Sequence, residues 1–376
     1  MEKAYQSRFS YENPYKTSKN CLFVSTCLFS ETIITQYLAR IGCIMVGMSK
    51  LMQCQSKAEW DDYVLENGGH PLQLWGWGDL KAAHGWSACR LFYYNDDKEL
   101  TGAIQVLIRK LPWPLRSLAY VPRGPIVDIK DRDDLLAELV AYIKSNFHSV
   151  AITVEPDEEK YRLKTDWQYS KNYILPARTI LLDLAKNEAE LMTDMAKKTR
   201  QYIRKSATEG LKIKKVNNRE ELAKCLAIYS QTAKRAGFEL HEESYYYDAF
   251  DKIGDYNLIY AAYSDSQPVA FLWLTISAGT AYELYGGMNG IGQQLRANYM
   301  LKWYAIRKCR EWGLRRYDFG GILDGGIATF KKGWAKEETK LAGTFDRPLS
   351  IFYSFWTKGL PTAKKILRKL KSKSKE

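Results

Sequence analysis

The stretch from Tyr317 to Trp334 combines residue types that could stabilise a developing negative charge. It reads YDFGGILDGGIATFKKGW, so two glycine pairs precede Phe330, Lys331 and Lys332. Paired glycines permit sharp turns. A lysine held behind such turns, beside an aromatic ring, can meet an oxyanion where water is excluded. The alternative is that FKKGW is the exposed end of a strand, since lysine pairs usually lie in solvent. Lys331 and Lys332 are therefore both candidates for this role at this point.

The histidines and cysteines form no pattern that is typical of a metal site or of a catalytic nucleophile. The four histidines lie far apart, and the seven cysteines are odd in number and never form a C-x-x-C pair. They are His70, His84, His148 and His241, and Cys21, Cys27, Cys43, Cys54, Cys89, Cys225 and Cys309. We therefore expect no metal and no disulfide framework, and a reducing compartment.

The chain of 376 residues is basic, with a formal net charge of +13. Such a charge favours polyanionic partners, namely nucleic acid, a phosphorylated substrate or an anionic membrane. Much of the charge is local, because residues 358–376 contain eight Lys or Arg and one Glu. The body of the protein is only moderately basic.

The C-terminal tail, residues 351–376, contains a basic amphipathic stretch. From Gly359 to Lys371, the apolar residues fall on one helical face and the basic residues on the other. Such a helix commonly lies on anionic lipid. It could equally cap the core of the protein with its basic face in solvent. Peripheral contact with a membrane through 358–376 is thus one of two expectations.

Residues 1–52 give no clear structural signal and are expected to be an extension. They contain an apolar run from Cys21 to Ser30, but Glu31 and Arg40 interrupt the chain after it, so no uncharged stretch is long enough to span a membrane. A poor signal peptide, a loosely attached extension, or a true start at a later methionine (Met45, Met48 or Met52) all remain open.

The hydrophobic spacing after residue 53 predicts a repeated order of elements. Helices are expected at about 57–66, 74–84, 133–147, 187–207, 219–235, 243–252 and 298–312, and strands at about 88–94, 102–109, 117–121, 150–155, 179–184, 257–263, 269–277, 280–284 and 315–319. The order helix, helix, hairpin, strand, helix, strand occurs twice. This predicts a mixed α/β (α+β) fold of two tandem acetyltransferase-like domains, residues 53–186 and 187–350.

The loops that precede the long helices lack the usual coenzyme A motif. Simple acetyltransferases cradle the pyrophosphate with an R/Q-x-x-G-x-G/A turn at a helix N-terminus. The comparable segments here, 120–125 and 290–297, read YVPRGP and GIGQQLRA. This absence counts against acetyl-CoA as the donor.

Several short segments together resemble the FemABX family of aminoacyl-tRNA-dependent peptidyltransferases, which build the interpeptide bridges of peptidoglycan. The resemblance covers about residues 55–350. It is carried by the order and spacing of the segments at 73–81 (QLWGWGDLK), 123–128 (RGPIVD), 179–184 (TILLDL), 198–205, 233–237 (AKRAG), 284–287 (LYGG), 317–321 (YDFGG) and 330–333 (FKKG). Only six residues separate Gly237 from Ser244, so this chain is similar to the members that lack a coiled-coil arm.

The resemblance implies roles for six residues. Lys81 and Arg235 match positions that hold the diphosphate of the muramyl-peptide acceptor, and Tyr285 matches an aromatic residue that contacts it. Lys331 matches the lysine beside the reacting ester, with Phe330 as its neighbouring wall. The sixth, Asp128, matches an acidic position near the acceptor, although it could as well cap the segment immediately after it.

The implied reaction is the transfer of an amino acid from aminoacyl-tRNA to the stem-peptide amine of lipid II or UDP-MurNAc-pentapeptide. An ester is already activated, so oxyanion stabilisation by Lys331 would suffice without a triad. No cofactor is expected, the aminoacyl-tRNA being a co-substrate that contacts the basic helix at 197–205. A cytoplasmic enzyme, peripheral at the inner face of the plasma membrane, would fit. An acyl-CoA-dependent N-acyltransferase and a non-catalytic tRNA or precursor-binding module remain alternatives.

Overall fold

The computed structural model describes residues 50–163, 166–323 and 325–359. The expectations for residues 1–49 and for the amphipathic tail from residue 360 onward therefore lie outside the described residues. Among the helices in the described ranges, none has both the length and the apolar character needed to cross a bilayer.

The described chain contains sixteen strands and ten α-helices. The strands are β1 (Leu51–Gln53), β2 (Ser87–Tyr94), β3 (Leu100–Lys110), β4 (Ser117–Pro122), β5 (Ile126–Val127), β6 (Ser149–Glu155), β7 (Gln168–Ser170), β8 (Arg178–Thr179), β9 (Leu181–Asp183), β10 (Lys212–Lys215), β11 (Asn257–Ser264), β12 (Gln267–Ser277), β13 (Thr280–Met288), β14 (Arg316–Asp318), β15 (Thr339–Lys340) and β16 (Thr344–Pro348). The helices are α1 (Lys57–Glu66), α2 (Trp75–Ala83), α3 (Ile129–Asn146), α4 (Glu188–Asp194), α5 (Lys197–Ala207), α6 (Arg219–Ala236), α7 (Glu243–Ile253), α8 (Gly290–Gln294), α9 (Ala297–Glu311) and α10 (Gly326–Lys332).

Two mixed sheets carry the fold. The first has the order β1-β2-β3-β4-β6-β16-β7, with β5 paired to β3, and the second has the order β10-β11-β12-β13-β14-β9. Each sheet contains one parallel pair, β4 with β6 and β13 with β14. A long helix, α3 or α9, connects the two strands of each pair. The same unit thus occurs twice, as the sequence pattern predicted.

Two strands are exchanged between the halves of the chain. β9 lies before residue 186 but pairs with β14 in the second sheet. β16 lies near the end of the described chain but pairs with β6 and β7 in the first sheet. Each half of the chain therefore contributes one strand to the sheet of the other half.

The connection between α6 and α7 is short, as expected for a chain without an arm. Residues 237–242 alone join the two helices, and Gly237 ends α6 in the left-handed conformation with φ of 73°. Glycine adopts this conformation without a Cβ penalty, which makes it a common helix terminator.

Two expected elements differ from the structure. The single helix expected at 187–207 is two helices, because Met195 and Ala196 are extended and the Arg200 guanidinium donates to the Met195 carbonyl oxygen at 2.6 Å. The alternative interpretation of FKKGW as the exposed end of a strand is wrong, because its first three residues belong to a helix. Helix α10 begins after Gly325, whose φ is 112°, and ends at Lys332.

Candidate active site

A β-bulge in β13 separates two lysine-containing sites. Trp273 of β12 pairs with Tyr285 and Leu274 pairs with Glu283, so Leu284 is an extra residue on β13. Without the bulge, Glu283 and Tyr285 would share one face of the sheet. With it, Tyr285 faces α6 and α7 while Glu283 faces α9. We call the first side the tyrosine site and the second the glycine-loop site.

The tyrosine site contains Lys81, which lies on α2. Its ammonium nitrogen donates to the Tyr245 hydroxyl at 2.7 Å and lies 4.5 Å from the centroid of the Trp77 ring. Burial, together with the charge of Arg109, lowers the pKa of Lys81 to about 8. A cation that has lost water in this way gains more from binding an anion than an exposed lysine does.

Tyr285 joins the same site through Tyr245. The two phenols are hydrogen bonded, and the Tyr285 ring packs against the rings of Tyr229, Tyr246 and Trp273. Burial raises the pKa of Tyr245 to about 12 and that of Tyr285 well above its ordinary value. Both phenols therefore stay protonated near neutral pH. One of the two protons is used in the hydrogen bond between them, so the other is left to donate to a phosphate oxygen.

Arg235 lies near the end of β13. It is exposed on α6, and its guanidinium donates to the Met288 carbonyl oxygen at 3.0 Å. The structure thus holds Arg235 on the same side of the sheet as Tyr285, with most of its donors directed to solvent. Lys81, Arg235 and Tyr285 come from three different elements.

Asp128 does not belong to the tyrosine site. It occupies the N-cap position of α3, is exposed, and makes no side-chain capping hydrogen bond. The adjacent Val127 pairs with Gly102 of β3, whereas the Arg109 that acts on Lys81 lies near the other end of the same strand. Seven strand residues span about 23 Å. Asp128 is therefore not brought to Lys81, and its role near the acceptor stays a prediction.

The glycine-loop site contains Lys331, on α10. The ammonium nitrogen donates to the carbonyl oxygens of Phe319, Gly321 and Gly320 at 2.5, 3.0 and 3.4 Å. Burial lowers the pKa of Lys331, while Glu283 and Asp318 oppose the shift. Lys332 instead is exposed and pairs with Glu338. The two lysines differ because successive helical residues are about 100° apart.

The loop that binds Lys331 lies where β13 and β14 separate. Their parallel pairing ends at Tyr282 and Asp318. The chain then turns at Gly320, whose φ is 66°, and a Cβ at this position would lie 2.8 Å from the Glu283 carbonyl oxygen. Glycine at 320 is thus required by both conformation and space. It lets three carbonyls converge on one ammonium group.

A second buried lysine, Lys302 on α9, belongs to the same site. It forms an ion pair with Glu283, which also accepts a hydrogen bond from the Tyr317 hydroxyl at 2.7 Å. The pKa of Lys302 is lowered to about 8, because burial and, to a smaller extent, the charge of Lys331 lower it more than Glu283 raises it. The Glu283 carboxylate therefore raises the pKa of both Lys302 and Lys331.

Phe330 forms a wall of the glycine-loop site. Its ring packs against the rings of Tyr299 and Trp334, and the Lys302 ammonium lies 5.5 Å from its centroid. Sequence reasoning singled out Phe330 and Lys331 but missed Lys302 and Glu283. A signal for Lys302 exists, because it precedes the buried Ala305, Ile306 and Cys309 at helical spacing.

One group of potential metal ligands is found among the described residues. Atoms of His70, Asp157 and Asp318 lie within 4.8 Å of one another. The His70 Nδ1 atom accepts the backbone N–H of Leu72 at 3.1 Å, so the proton of the neutral ring is on Nε2, the nitrogen left to face the carboxylates. A metal ion requires a lone pair at that nitrogen. Asp157 is also paired with Arg316. The group does not fit a metal ion.

Comparisons with known proteins agree with this architecture. A crystal structure of FemX has a TM-score of 0.71 and 21% sequence identity, covering 80% of this chain and 97% of that one. The C-terminal domain of a putative lysylphosphatidylglycerol synthetase from Agrobacterium fabrum has a TM-score of 0.52 at 10% identity, over 80% of this chain and 95% of that one. These likenesses show the fold.

Sequence relatives extend over most of the chain. The lipid II:glycine glycyltransferase of Staphylococcus aureus (strain MRSA252) is 24% identical over 414 aligned positions, covering 84% of this chain and 98% of the relative. The model of the FemAB family matches residues 55–172, 161–268 and 257–357. The protein belongs to the FemAB family.

Proposed function

We propose that this enzyme of the FemAB family transfers an amino acid from an aminoacyl-tRNA to the stem-peptide amine of a peptidoglycan precursor. The observation that carries the proposal is the pair of desolvated lysine sites on either side of the β13 bulge. One lysine has unused N–H groups beside two phenols and would bind the acceptor's diphosphate. The other, Lys331, donates to the carbonyl oxygens of the glycine loop and would face the reacting ester. The relatives named for lipid II support the same acceptor class.

The reaction needs no nucleophile from the protein. The neutral acceptor amine attacks the ester carbonyl of the aminoacyl-tRNA, and the carbonyl oxygen becomes an oxyanion. The bond to the 3′-terminal ribose oxygen then breaks, and that oxygen takes the proton that the amine nitrogen loses. Lys331 would stabilise the oxyanion after exchanging one of its carbonyl contacts, of which Gly320 O at 3.4 Å is the longest. A desolvated ammonium group stabilises such a charge more strongly than an ammonium group in water does.

The donor tRNA would contact the basic helix α5. Lys197, Lys198, Arg204 and Lys205 are exposed on it. The start of α5 lies beside α10, because the Ala196 N–H donates to the Gly333 carbonyl oxygen at 3.0 Å. Phosphate contacts along α5 would therefore lead the RNA towards Lys331.

The direct test is a transfer assay. The purified protein is incubated with total aminoacyl-tRNA and, in separate arms, with lipid II or UDP-linked muramyl pentapeptide. We expect a product heavier by one amino-acid residue, and no product after RNase treatment of the donor. Transfer from acyl-CoA that resists RNase would instead favour the N-acyltransferase alternative. Acceptor binding without transfer from any donor would indicate a binding module.

Contact with an anionic membrane through 358–376 is a separate proposal. Removal of residues 358–376 should reduce sedimentation with phosphatidylglycerol vesicles at low salt, while transfer to the UDP-linked acceptor persists. Equal vesicle binding by the truncated and full chains would contradict the membrane role.

A further inference from the structure

An exposed apolar surface lies at one end of the first sheet. Trp113, in the turn between β3 and β4, is 87% exposed, and Ile351, which follows β16, is 90% exposed. These are the two highest exposed fractions among the large apolar side chains of the described residues. Phe352 and Phe355 are also exposed. We call these four residues the apolar edge. No step of the proposed reaction uses them.

The two segments that carry the apolar edge are packed on one small core. This core is formed by residues from the turn, β4 and β6, with side chains of both segments packed against it: Leu115, Leu118, Val150 and Ala151, contacted by Leu111, Tyr353 and Trp356. The Leu349 N–H also donates to the Val150 carbonyl oxygen at 2.9 Å, and the Leu111 N–H to the Arg116 carbonyl oxygen at 2.8 Å. The exposed side chains are therefore held on a fixed surface.

The surroundings of the apolar edge are basic. Three segments meet at this end of the sheet, residues 109–117, 143–150 and 349–359, since Arg116 bridges to Ser149 and Leu349 bonds to Val150. They contain five Lys or Arg and no Asp or Glu: Arg109, Lys110, Arg116, Lys144 and Lys358. The basic residues 358–376 continue directly from this surface. An exposed apolar patch surrounded by cations is typical of a surface that contacts anionic lipid.

The positive charge also selects among the partners that could cover this surface. Residues 358–376 are themselves strongly basic, so folding them back over it would bring like charges together. A second copy of the chain, packed through the same surface, would do the same. RNA matches the charge, but Ile351 has no ring that could stack on a base. An anionic bilayer accepts both the apolar side chains and the cations, and Trp is enriched where proteins meet the lipid headgroups.

The apolar edge lies close to the tyrosine site. Arg109, near the end of β3, acts on the pKa of Lys81, and its guanidinium lies 5.3 Å from the centroid of the Trp86 ring. Trp113 follows Arg109 by four residues, a separation of at most about 14 Å. In a lipid-linked precursor the diphosphate joins the sugar to the lipid, so it lies at the surface of the bilayer. A protein that contacts the bilayer through the apolar edge would thus hold Lys81 close to that diphosphate.

We propose that the apolar edge is a membrane-docking surface, whose side chains enter the headgroup region of an anionic bilayer while the surrounding cations contact lipid phosphates. Docking goes beyond the proposed function and beyond contact through residues 358–376, because folded residues of the first sheet make it. Docking would also present the tyrosine site to a lipid-linked acceptor, and this part rests on the proposed function.

The first arm of the test measures sedimentation of the full chain with vesicles of phosphatidylglycerol and phosphatidylcholine. We expect Trp113→Ser and Ile351→Ser each to lower the partition coefficient by about tenfold, since each removes one apolar side chain from the bilayer. The matched control is Ile129→Ser, because Ile129 is 79% exposed at the start of α3, whereas Lys144 lies in the last turn of that helix. The control should bind as the parent does. Equal binding by the parent and both edge variants overturns the inference.

The second arm repeats the measurement in 1 M salt, which separates the apolar edge from the basic tail. The Debye length is then about 3 Å, so the attraction between the tail and the lipid phosphates is screened. We expect the parent to keep part of its binding and the two edge variants to lose that part. If the parent keeps no binding in 1 M salt, charge alone carries the contact and the inference is wrong.

The third arm measures transfer, and it separates failure of the inference from failure of the proposed function. We expect both edge variants to raise the KM for lipid II in vesicles by about tenfold, with kcat and the KM for the UDP-linked acceptor near the parent values. If the parent transfers and the variants keep its KM for lipid II, the presentation of the acceptor is wrong. If the parent transfers to neither acceptor, the proposed function fails, while the vesicle measurements still decide on docking.

The fourth arm examines the other partners without lipid. Sedimentation velocity compares the parent with Trp113→Ser, and a parent dimer that dissociates in the variant would assign the apolar edge to a protein interface. A gel-shift titration with total tRNA compares the same two proteins, and a loss of RNA affinity with unchanged vesicle binding would assign the edge to RNA. Either result overturns the proposal. We expect the same sedimentation coefficient and the same RNA affinity in both proteins.

Discussion

The two lysine sites on either side of β13 have similar burial but different hydrogen bonding. Burial lowers the pKa of both Lys81 and Lys331. Among the described residues, Lys81 has one hydrogen-bond acceptor, the Tyr245 hydroxyl, whereas Lys331 has three carbonyl acceptors. Lys81 can therefore add an anion without losing a contact, while Lys331 must exchange one. The first arrangement suits ground-state binding, and the second suits a charge that exists only transiently.

The largest effect should follow from Lys331→Met. This change removes the charge but keeps most of the apolar stem, so we expect kcat to fall by about a hundredfold or more with little change in the acceptor Kd. Three carbonyls also lose their donor, and the free energy of unfolding should fall by on the order of 1–3 kcal/mol. Turnover must therefore be expressed per folded enzyme, with the folded fraction measured by thermal unfolding.

Lys332→Met is the matched control for this experiment. Lys332 is exposed and pairs with Glu338 rather than with the glycine loop. We expect its kcat to stay near the parent value. If Lys331→Met loses only stability and keeps parent turnover per folded enzyme, Lys331 is a structural cap of the loop, and the proposed asymmetry between the two sites is wrong.

A smaller effect is expected at the tyrosine site. Lys81→Met should raise the acceptor Kd by about tenfold or more, since a charge-assisted contact contributes about 1.5–3 kcal/mol. Arg235→Ala should act in the same direction but less, because its guanidinium is exposed. Isothermal titration with the UDP-linked acceptor measures both. If both variants fold and keep the parent's acceptor affinity, the diphosphate does not bind at this site.

The pKa of Lys81 gives this site a pH dependence. The group is an ammonium below about pH 8 and loses its charge as the pH rises through that value. Acceptor affinity should therefore fall between pH 7 and pH 9, by up to about tenfold if only the charged form binds. Lys81→Met should abolish this dependence. If Lys81→Met kept the full pH dependence, the dependence would come from another titrating group.

The smallest predicted change in activity concerns Glu283→Gln. Glu283 raises the pKa of Lys331, so its loss should move the alkaline limb of the kcat profile to lower pH. The exposed Glu311→Gln is the control. Because Lys302 then loses its partner, the protein should also lose stability by on the order of 3 kcal/mol. An unshifted profile in a folded Glu283→Gln enzyme would show that Glu283 does not act on Lys331.

Local patterns in the sequence were sufficient to predict most of the helices and strands and their order. Apolar spacing located both hairpins and the long helices, for example α9 and β12, and the repeated order of elements indicated the tandem architecture. The exchanged strands β9 and β16 were not recognisable as an exchange. Their partners are set by long-range hydrogen bonds, which leave no periodic mark on a short strand. The helix α10 was missed because it is only seven residues long, begins with Gly326 and is flanked by Gly325 and Gly333, and glycine is a poor helix former.

The sequence by itself determined which residues are chemically able to act: the glycine loop, Phe330 and Lys331, and the cations at 81 and 235. Only the tertiary structure decided how they are grouped. One extra residue in β13 directs Glu283 and Tyr285 to opposite faces of the sheet. The tertiary structure also places Lys302 and Lys331 near the same carboxylate, that of Glu283, and it places Asp128 far from Lys81. These relations depend on which elements pack together. The same is true of Lys81 and Tyr245, which are 164 positions apart in the sequence.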